Sequence, residues 1–191
     1  MIFCGIDPGN QGALCYIDED RRVLKFYDTP LLTVETRKTK RKVMNAQAAR
    51  MLLEGIIEMR GTEVVYAVIE KVAPMPSLHE EDKGAKMGAT SAFNYGKGVG
   101  IWIGLLVGLQ IPFTEVHPMT WKASLMRDSA KGKGASILKA TQLYPSSAKD
   151  LTRIKDHGRA DALLLAEWGR RSLGGKRIEE APGPQQQTMF G

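Results

Sequence analysis

Three carboxylates stand in stretches that otherwise read as protein interior, and no other feature of this chain restricts its fold so tightly. Asp7 closes the apolar run that starts at Ile2 and is followed by Pro8-Gly9. Glu70 ends a second apolar run after Ala67-Val68-Ile69, and Asp161 lies inside Ala160-Asp161-Ala162-Leu163-Leu164. A buried carboxylate without a partner is strongly destabilising, so a chain that keeps three must give them a shared counter-charge. His157 precedes Asp161 by four residues, which puts both on one face of a continuing helix; Asp156 is the neighbouring alternative. Two strand-end acids plus a helix face bearing Asp and His form a cage for one or two hard divalent cations. Mg²⁺ suits such oxygen-rich, water-sharing sites, and an imidazole ligand admits Mn²⁺. Each acid alone has an ordinary explanation: Asp7 as a turn former, Glu70 as a salt-bridged strand end, Asp161 as an ion-pair partner of Arg159 or Lys155.

The pattern along the chain places these residues on elements. Ile2 to Asp7 reads as a buried strand meeting a turn, and Ala13 to Ile17 and Val23 to Tyr27 as two more strands joined through residues 18–21. Residues 36–42 (TRKTKRK) form a basic run without apolar partners and read as an exposed loop. From Asn45 the period changes: Ala49, Leu52, Leu53, Ile56 and Ile57 repeat at helical spacing, with Asn45 as N-cap and Gly61 as the stop. Val64 to Glu70 is a β-branched, central strand. Residues 73–90, with Pro74, Pro76, Gly84 and Gly88, read as a mobile loop. Phe93 to Leu109 is an apolar, glycine-rich helix, Phe113 to Val116 a strand, and Ile137 to Leu143 and Arg159 to Ser172 two further helices. The order βββ-α-β-α-β-α-α is a mixed α/β domain over residues 1–173, followed by a tail, 174–191, whose prolines and glutamines read as disordered.

Composition excludes several classes. At 191 residues, 43% hydrophobic and 25% charged, the chain is neither disordered nor membrane-embedded. Its longest apolar run, Ile101 to Ile111, is too short to span a bilayer. Cys4 and Cys15 fall in adjacent core strands with no metal-binding spacing and read as buried thiols. No basic leader precedes the first strand, so a cytoplasmic, reducing location is expected. A net charge of +6 favours a polyanionic partner.

Gly5-Ile6-Asp7-Pro8-Gly9 resembles the opening strand of the RuvC-type Holliday-junction resolvases, within the ribonuclease H-like superfamily. Val68-Ile69-Glu70 is similar to their second acidic strand, and Asp156-His157-Gly158-Arg159-Ala160-Asp161-Ala162-Leu163 to their C-terminal metal-binding helix. Between these, Ser91-Ala92-Phe93 with Gly96 and Gly100 resembles the family's glycine-bearing helix, and residues 131–136 its basic loop. The likeness runs in order over residues 1–172. It departs at one point: the family spaces its last two ligands three apart, whereas here His157 is four and Asp156 five before Asp161. The shared helix face favours His157.

The resemblance implies a five-stranded mixed sheet with helices on both faces, in a phage-type relative from a bacterial or phage-infected cell. It also implies an endonuclease that nicks four-way DNA junctions in symmetric pairs by a two-metal mechanism. Asp7 would bridge two Mg²⁺ ions roughly 4 Å apart, replaceable by Mn²⁺, with Glu70 on one side and His157 and Asp161 on the other. Paired nicks call for a homodimer, and the 93–109 helix, through Gly96, Gly100 and Gly104 with Ile101, Trp102 and Leu105, is the candidate face; the alternative is a core helix in tight contact with a strand. Arg37, Lys38, Lys40, Arg41, Lys42, Lys131 and Lys133 are candidate DNA-backbone contacts, and Met75 and Leu78 candidate wedges at the junction centre. Gln186, Met189 and Phe190 resemble the Q-x-x-[LM]-F peptides that dock into bacterial sliding clamps. Three other readings compete: a general branched-DNA or flap nuclease, a non-catalytic junction-binding module, and an actin-like or sugar-kinase-type ATP-binding protein using the Asp7–Gly12 turn.

Overall fold

The computed structural model describes residues 1–35, 40–71, 89–127 and 134–173. The chain opens with β1 (Ile2–Ile6), β2 (Ala13–Asp18), β3 (Val23–Asp28), β4 (Leu31–Glu35), β5 (Lys40–Met44) and α1 (Ala46–Met59). It continues through β6 (Val65–Glu70), α2 (Ala89–Gly108), β7 (Phe113–Val116), α3 (Pro118–Leu125), α4 (Ala135–Leu143) and α5 (His157–Leu173). Five strands form one mixed sheet in the order β3-β2-β1-β6-β7, and β4 and β5 pair apart as a two-stranded ribbon. β1 runs antiparallel to β2 and parallel to β6.

The two-residue period of the strands divides the core. Ile2, Cys4, Ile6, Leu14, Tyr16, Ala67 and Ile69 point to one face, where Leu53 and Ile56 of α1 and Trp102 and Leu106 of α2 cover them. Phe3, Cys15, Ile17, Tyr66 and Val68 point to the other, under Trp121 and Leu125 of α3, Ala140 of α4 and Ala162 to Ala166 of α5. Helices on both faces of a mixed five-stranded sheet are the architecture that the resemblance implies, and the order of elements agrees with the mixed α/β pattern read from the sequence. The two thiols are free and buried, on opposite faces. Asn45 caps α1 by accepting from the Ala48 N–H at 3.0 Å, and Gly61 ends the turn at φ +60. No described helix is long and apolar enough to cross a membrane.

Three expectations need correction. The basic run is not wholly loop: Lys40–Met44 pairs with Leu31–Glu35, held near its tip by Lys40 against Glu35 at 2.6 Å. A ribbon half open to solvent needs no buried face, so hydrophobic alternation does not announce it. α3 escapes periodicity because it has only eight residues. Its start is nevertheless written in His117-Pro118, where the His117 ring accepts from the Met119 N–H at 3.3 Å and proline takes the first turn. Finally, α2 begins at Ala89 and α5 at His157, earlier than the apolar residues alone indicate. Residues 72–88, with Met75 and Leu78, lie outside the described residues, as does the tail from 174.

Candidate active site

Backbone geometry brings the three acids to one edge of the sheet. In the parallel β1–β6 pair Ile6 stands opposite Ile69, so Asp7 and Glu70 follow at the C-terminal ends of neighbouring central strands. α5 crosses this pair at unusually close range. A Cβ on Gly5 would lie 1.9 Å from the Ala162 carbonyl oxygen, so only glycine lets the helix come down beside Asp7. Gly158 makes a second close approach, where a Cβ would meet the Gln11 carbonyl oxygen at 2.2 Å. Asp161 sits between these two contacts, over the turn that follows Asp7. Arg159 adds a two-pronged bond to Asp28 of β3, at 2.6 and 2.8 Å.

The electrostatics are those of crowded acids. Burial pushes the Asp7 carboxyl up to about 7, with the charges of Asp161 and Glu70 adding and the Gly9 N–H and Lys122 opposing. Burial likewise raises Glu70, against the Trp121 N–H, Lys122 and His117. It raises Asp161 too, against Ser136, Lys122 and His157. Among the described residues, the buried Oδ1 of Asp161 and Nδ1 of His157 have no hydrogen-bond partner. Asp156 differs. Arg153 holds it through its backbone N–H and guanidinium, at 2.7 to 3.2 Å, and the guanidinium draws its carboxyl below the usual range.

Among the described residues no three His, Cys, Asp or Glu side chains already close around a metal-sized space. The donor set nonetheless fits a hard divalent cation: three carboxylates each raised by burial, with the charge of Asp161 raising the other two further, plus a carboxylate oxygen and an imidazole nitrogen without partners among the described residues. Asp156 contributes no free oxygen to that set, because Arg153 uses both.

Four neighbours of the acids were not singled out from the sequence. Trp121 donates its indole N–H to Glu70 at 2.8 Å and fixes that carboxylate's orientation. Lys122, next on α3, bears on all three acids and rests 5.0 Å from the Trp121 ring centre. Tyr95 of α2 packs beside Gly9, and the charges of Asp7 and Glu70 add to the burial that raises its hydroxyl to about 12. His117 caps α3 beside Glu70. The missing signal was α3 itself; once it is drawn, Trp121 and Lys122 fall beside the β6 end.

Of the candidate DNA contacts, Lys40, Arg41 and Lys42 are exposed on β5. Arg37, Lys38, Lys131, Lys133, Gln186, Met189 and Phe190 lie outside the described residues. On α2, Gly96, Gly100 and Gly104 do not pack tightly on the sheet, since a Cβ at each would meet nothing within 4 Å, but Trp102 does not share that open face: it is fully buried in the core, with Leu105 packed against the same cluster.

No protein-family model matches the chain. In sequence it is 29% identical over 166 residues to the chloroplastic Holliday junction resolvase MOC1 of Chlamydomonas reinhardtii, covering 79% of this chain and 18% of that protein. The chain thus spans under a fifth of the length of the curated relative it matches. In structure it is similar to Thermus thermophilus RuvC solved in complex with a Holliday junction substrate, with a TM-score of 0.52 at 16% identity. That match covers 90% of this chain and 96% of RuvC. The fold is therefore the ribonuclease H-like α/β fold of the RuvC type. The sequence likeness is to a Holliday junction resolvase, as the motifs predict.

Proposed function

We propose that this chain is a metal-dependent endonuclease that resolves four-way DNA junctions by paired symmetric nicks. The observation that carries the reading is the meeting of Asp7, Glu70 and Asp161 beneath α5, with Asp161 Oδ1 and His157 Nδ1 unpartnered. The likeness to a junction resolvase supports the same substrate.

Asp7, Glu70, Asp161 and His157 would hold the cations, two Mg²⁺ with Mn²⁺ as substitute. When bound there, they supply a lowered water pKa and charge neutralisation on the phosphate and the departing 3′-oxygen. The rest is the work of the chain itself. Trp121 keeps the Glu70 carboxylate turned to the site. Lys122 offsets part of the excess negative charge of Asp7, Glu70 and Asp161. The Arg153–Asp156 pair fixes the start of α5 and with it the His157 ring. The protein need supply no nucleophile: both thiols are buried with their pKa raised by burial.

The Asp7–Gly12 turn, which an ATP-binding protein would use around phosphate, is closed over by α5 at Gly158, and this favours the nuclease. A homodimer belongs to the proposal, supported by the open glycine face of α2 with exposed Phe93 (73%) and Val107 (61%). So does a reducing, cytoplasmic location, which suits two free thiols. Residues 1–173 as the nuclease domain and clamp docking by Gln186, Met189 and Phe190 are further parts of it; equal recovery of clamp without residues 185–191 would remove the latter.

The test is cleavage of a labelled synthetic four-way junction, matched duplex and flap in Mg²⁺ or Mn²⁺, by the native protein and Asp7→Asn. Paired junction nicks that vanish in the variant support a resolvase. Equal cutting of all branched DNA makes it a general nuclease, and no metal-dependent cutting ends the catalytic reading.

A further inference from the structure

A second polar site adjoins the acids, between β5 and α2. Three chain segments meet there: the turn after Asp7 gives Asn10, β5 gives Lys42, and α2 gives Asn94 and Lys97, over an apolar floor that includes Met44 and Ile101. Asn94 and Lys97 are three residues apart and so share a helix face. Gly98 seats α2 against both walls, since a Cβ there would touch the Pro8 carbonyl oxygen at 3.7 Å and the Met44 sulfur at 3.9 Å. Among the described residues no carboxylate lines the cleft and neither lysine is ion-paired, whereas Lys40 is held by Glu35. Two ammonium groups and two carboxamides around an open recess offer hydrogen-bond donors to an anion.

The position says which anion. Asn10 is three residues past Asp7, and Tyr95, between the two α2 cleft residues, packs at 3.7 Å from the Cβ position of Gly9. Exposed lysines hold a lone phosphate weakly, but a polyanion anchored at neighbouring points gains from each added contact. We propose that this cleft binds one backbone phosphate of the DNA strand that runs past the acids, and so sets which phosphate reaches them. The inference rests on the nuclease reading above. Arg41 takes no part: adjacent strand residues point to opposite faces, so Arg41 lies with Val34 on the other side of the ribbon from Lys42.

The experiment is fluorescence anisotropy of a four-way junction in chelator, titrated with NaCl. The proteins are the native chain, Lys42→Gln, Lys97→Gln, the double variant, and Arg41→Gln with Lys97→Gln. Each single cleft variant should weaken binding about three- to tenfold, and the double by less than the product. Because two lysines share one phosphate, only the double variant should lower the log–log salt slope, by about one. The Arg41–Lys97 pair should be additive. A neutral methylphosphonate at one position flanking the cleavage site should weaken the native protein and leave the double variant unaffected.

Additive lysine effects with no such position would overturn the proposal. So would inorganic phosphate raising the native Tm, but not that of the double variant, with no DNA position detected: the cleft would then be a free-anion site. Junction cleavage in Mg²⁺ without the lysine signature sinks the cleft alone; no binding or cleavage of any DNA sinks the nuclease reading with it. Both side chains are exposed, and unchanged Tm values verify that the variants fold.

Discussion

Two acids on the same helix, Asp161 and Glu167, show how differently a buried carboxylate can be used. Glu167 has no exposed surface, yet every oxygen is answered: the Tyr144 hydroxyl donates at 2.6 Å, and Arg170 and Arg171 donate at 2.7 to 3.1 Å. With its charge so surrounded, the arginines and the tyrosine outweigh the desolvation that would raise it, and its carboxyl falls to about 2. Asp161, under two turns earlier, has a buried oxygen with no partner and a pKa raised by burial. The first acid is finished as structure. The second keeps an oxygen free, as the proposed cation site requires.

That contrast breaks first under substitution. Asp161→Asn should leave the fold intact and cut junction cleavage by on the order of 10³-fold. Glu167→Gln should do the reverse, losing about 2 kcal/mol of stability while the folded fraction cleaves normally. Denaturation midpoints alongside single-turnover rates separate the two.

pH sharpens it with opposite signs. Asp7 moves from 3.8 to about 7 on folding, so between those values the native state binds more protons than the unfolded one. Metal-free stability therefore falls as pH rises from 4 to 7, by up to about 4 kcal/mol, and Asp7→Asn should flatten that limb. Glu167 moves from 4.5 down to about 2. Its contribution is present above 4.5 and lost as pH falls toward 2, and Glu167→Gln should flatten that acid limb instead.

The smallest effect concerns the start of α5. His157→Ala should slow cleavage about 10- to 100-fold, whereas Asp156→Asn should cost less than about tenfold, because Asp156 acts through Arg153. Equal losses in single-turnover rates would make Asp156 a ligand after all.

Much of this was legible in the residues. The five-stranded sheet follows from short apolar runs ended by turn residues, and the three acids stand out because Asp7 and Glu70 close such runs and Asp161 lies among alanines and leucines. The sequence even distinguishes Asp161 from Glu167: arginines follow Glu167 at three and four residues, whereas Leu164 and Leu165 follow Asp161. What stayed hidden depends on elements that carry no periodic signal. The ribbon of β4 and β5 buries too little to alternate, and α3 is too short to repeat. Trp121 and Lys122 are hidden for that reason, whereas Lys97 lies on a helix the sequence does show; each of the three matters for what lies across from it, not for its own neighbours in sequence.

Mn²⁺ binding separates most sharply a cation site at Asp7, Glu70 and Asp161 from one at the arginine-paired Glu167. Electron paramagnetic resonance would follow free Mn²⁺ at pH 7 in the native protein, Asp161→Asn and Glu167→Gln. The account predicts binding in the native protein and in Glu167→Gln, and at least about tenfold weaker binding in Asp161→Asn. Equal binding by all three would contradict it.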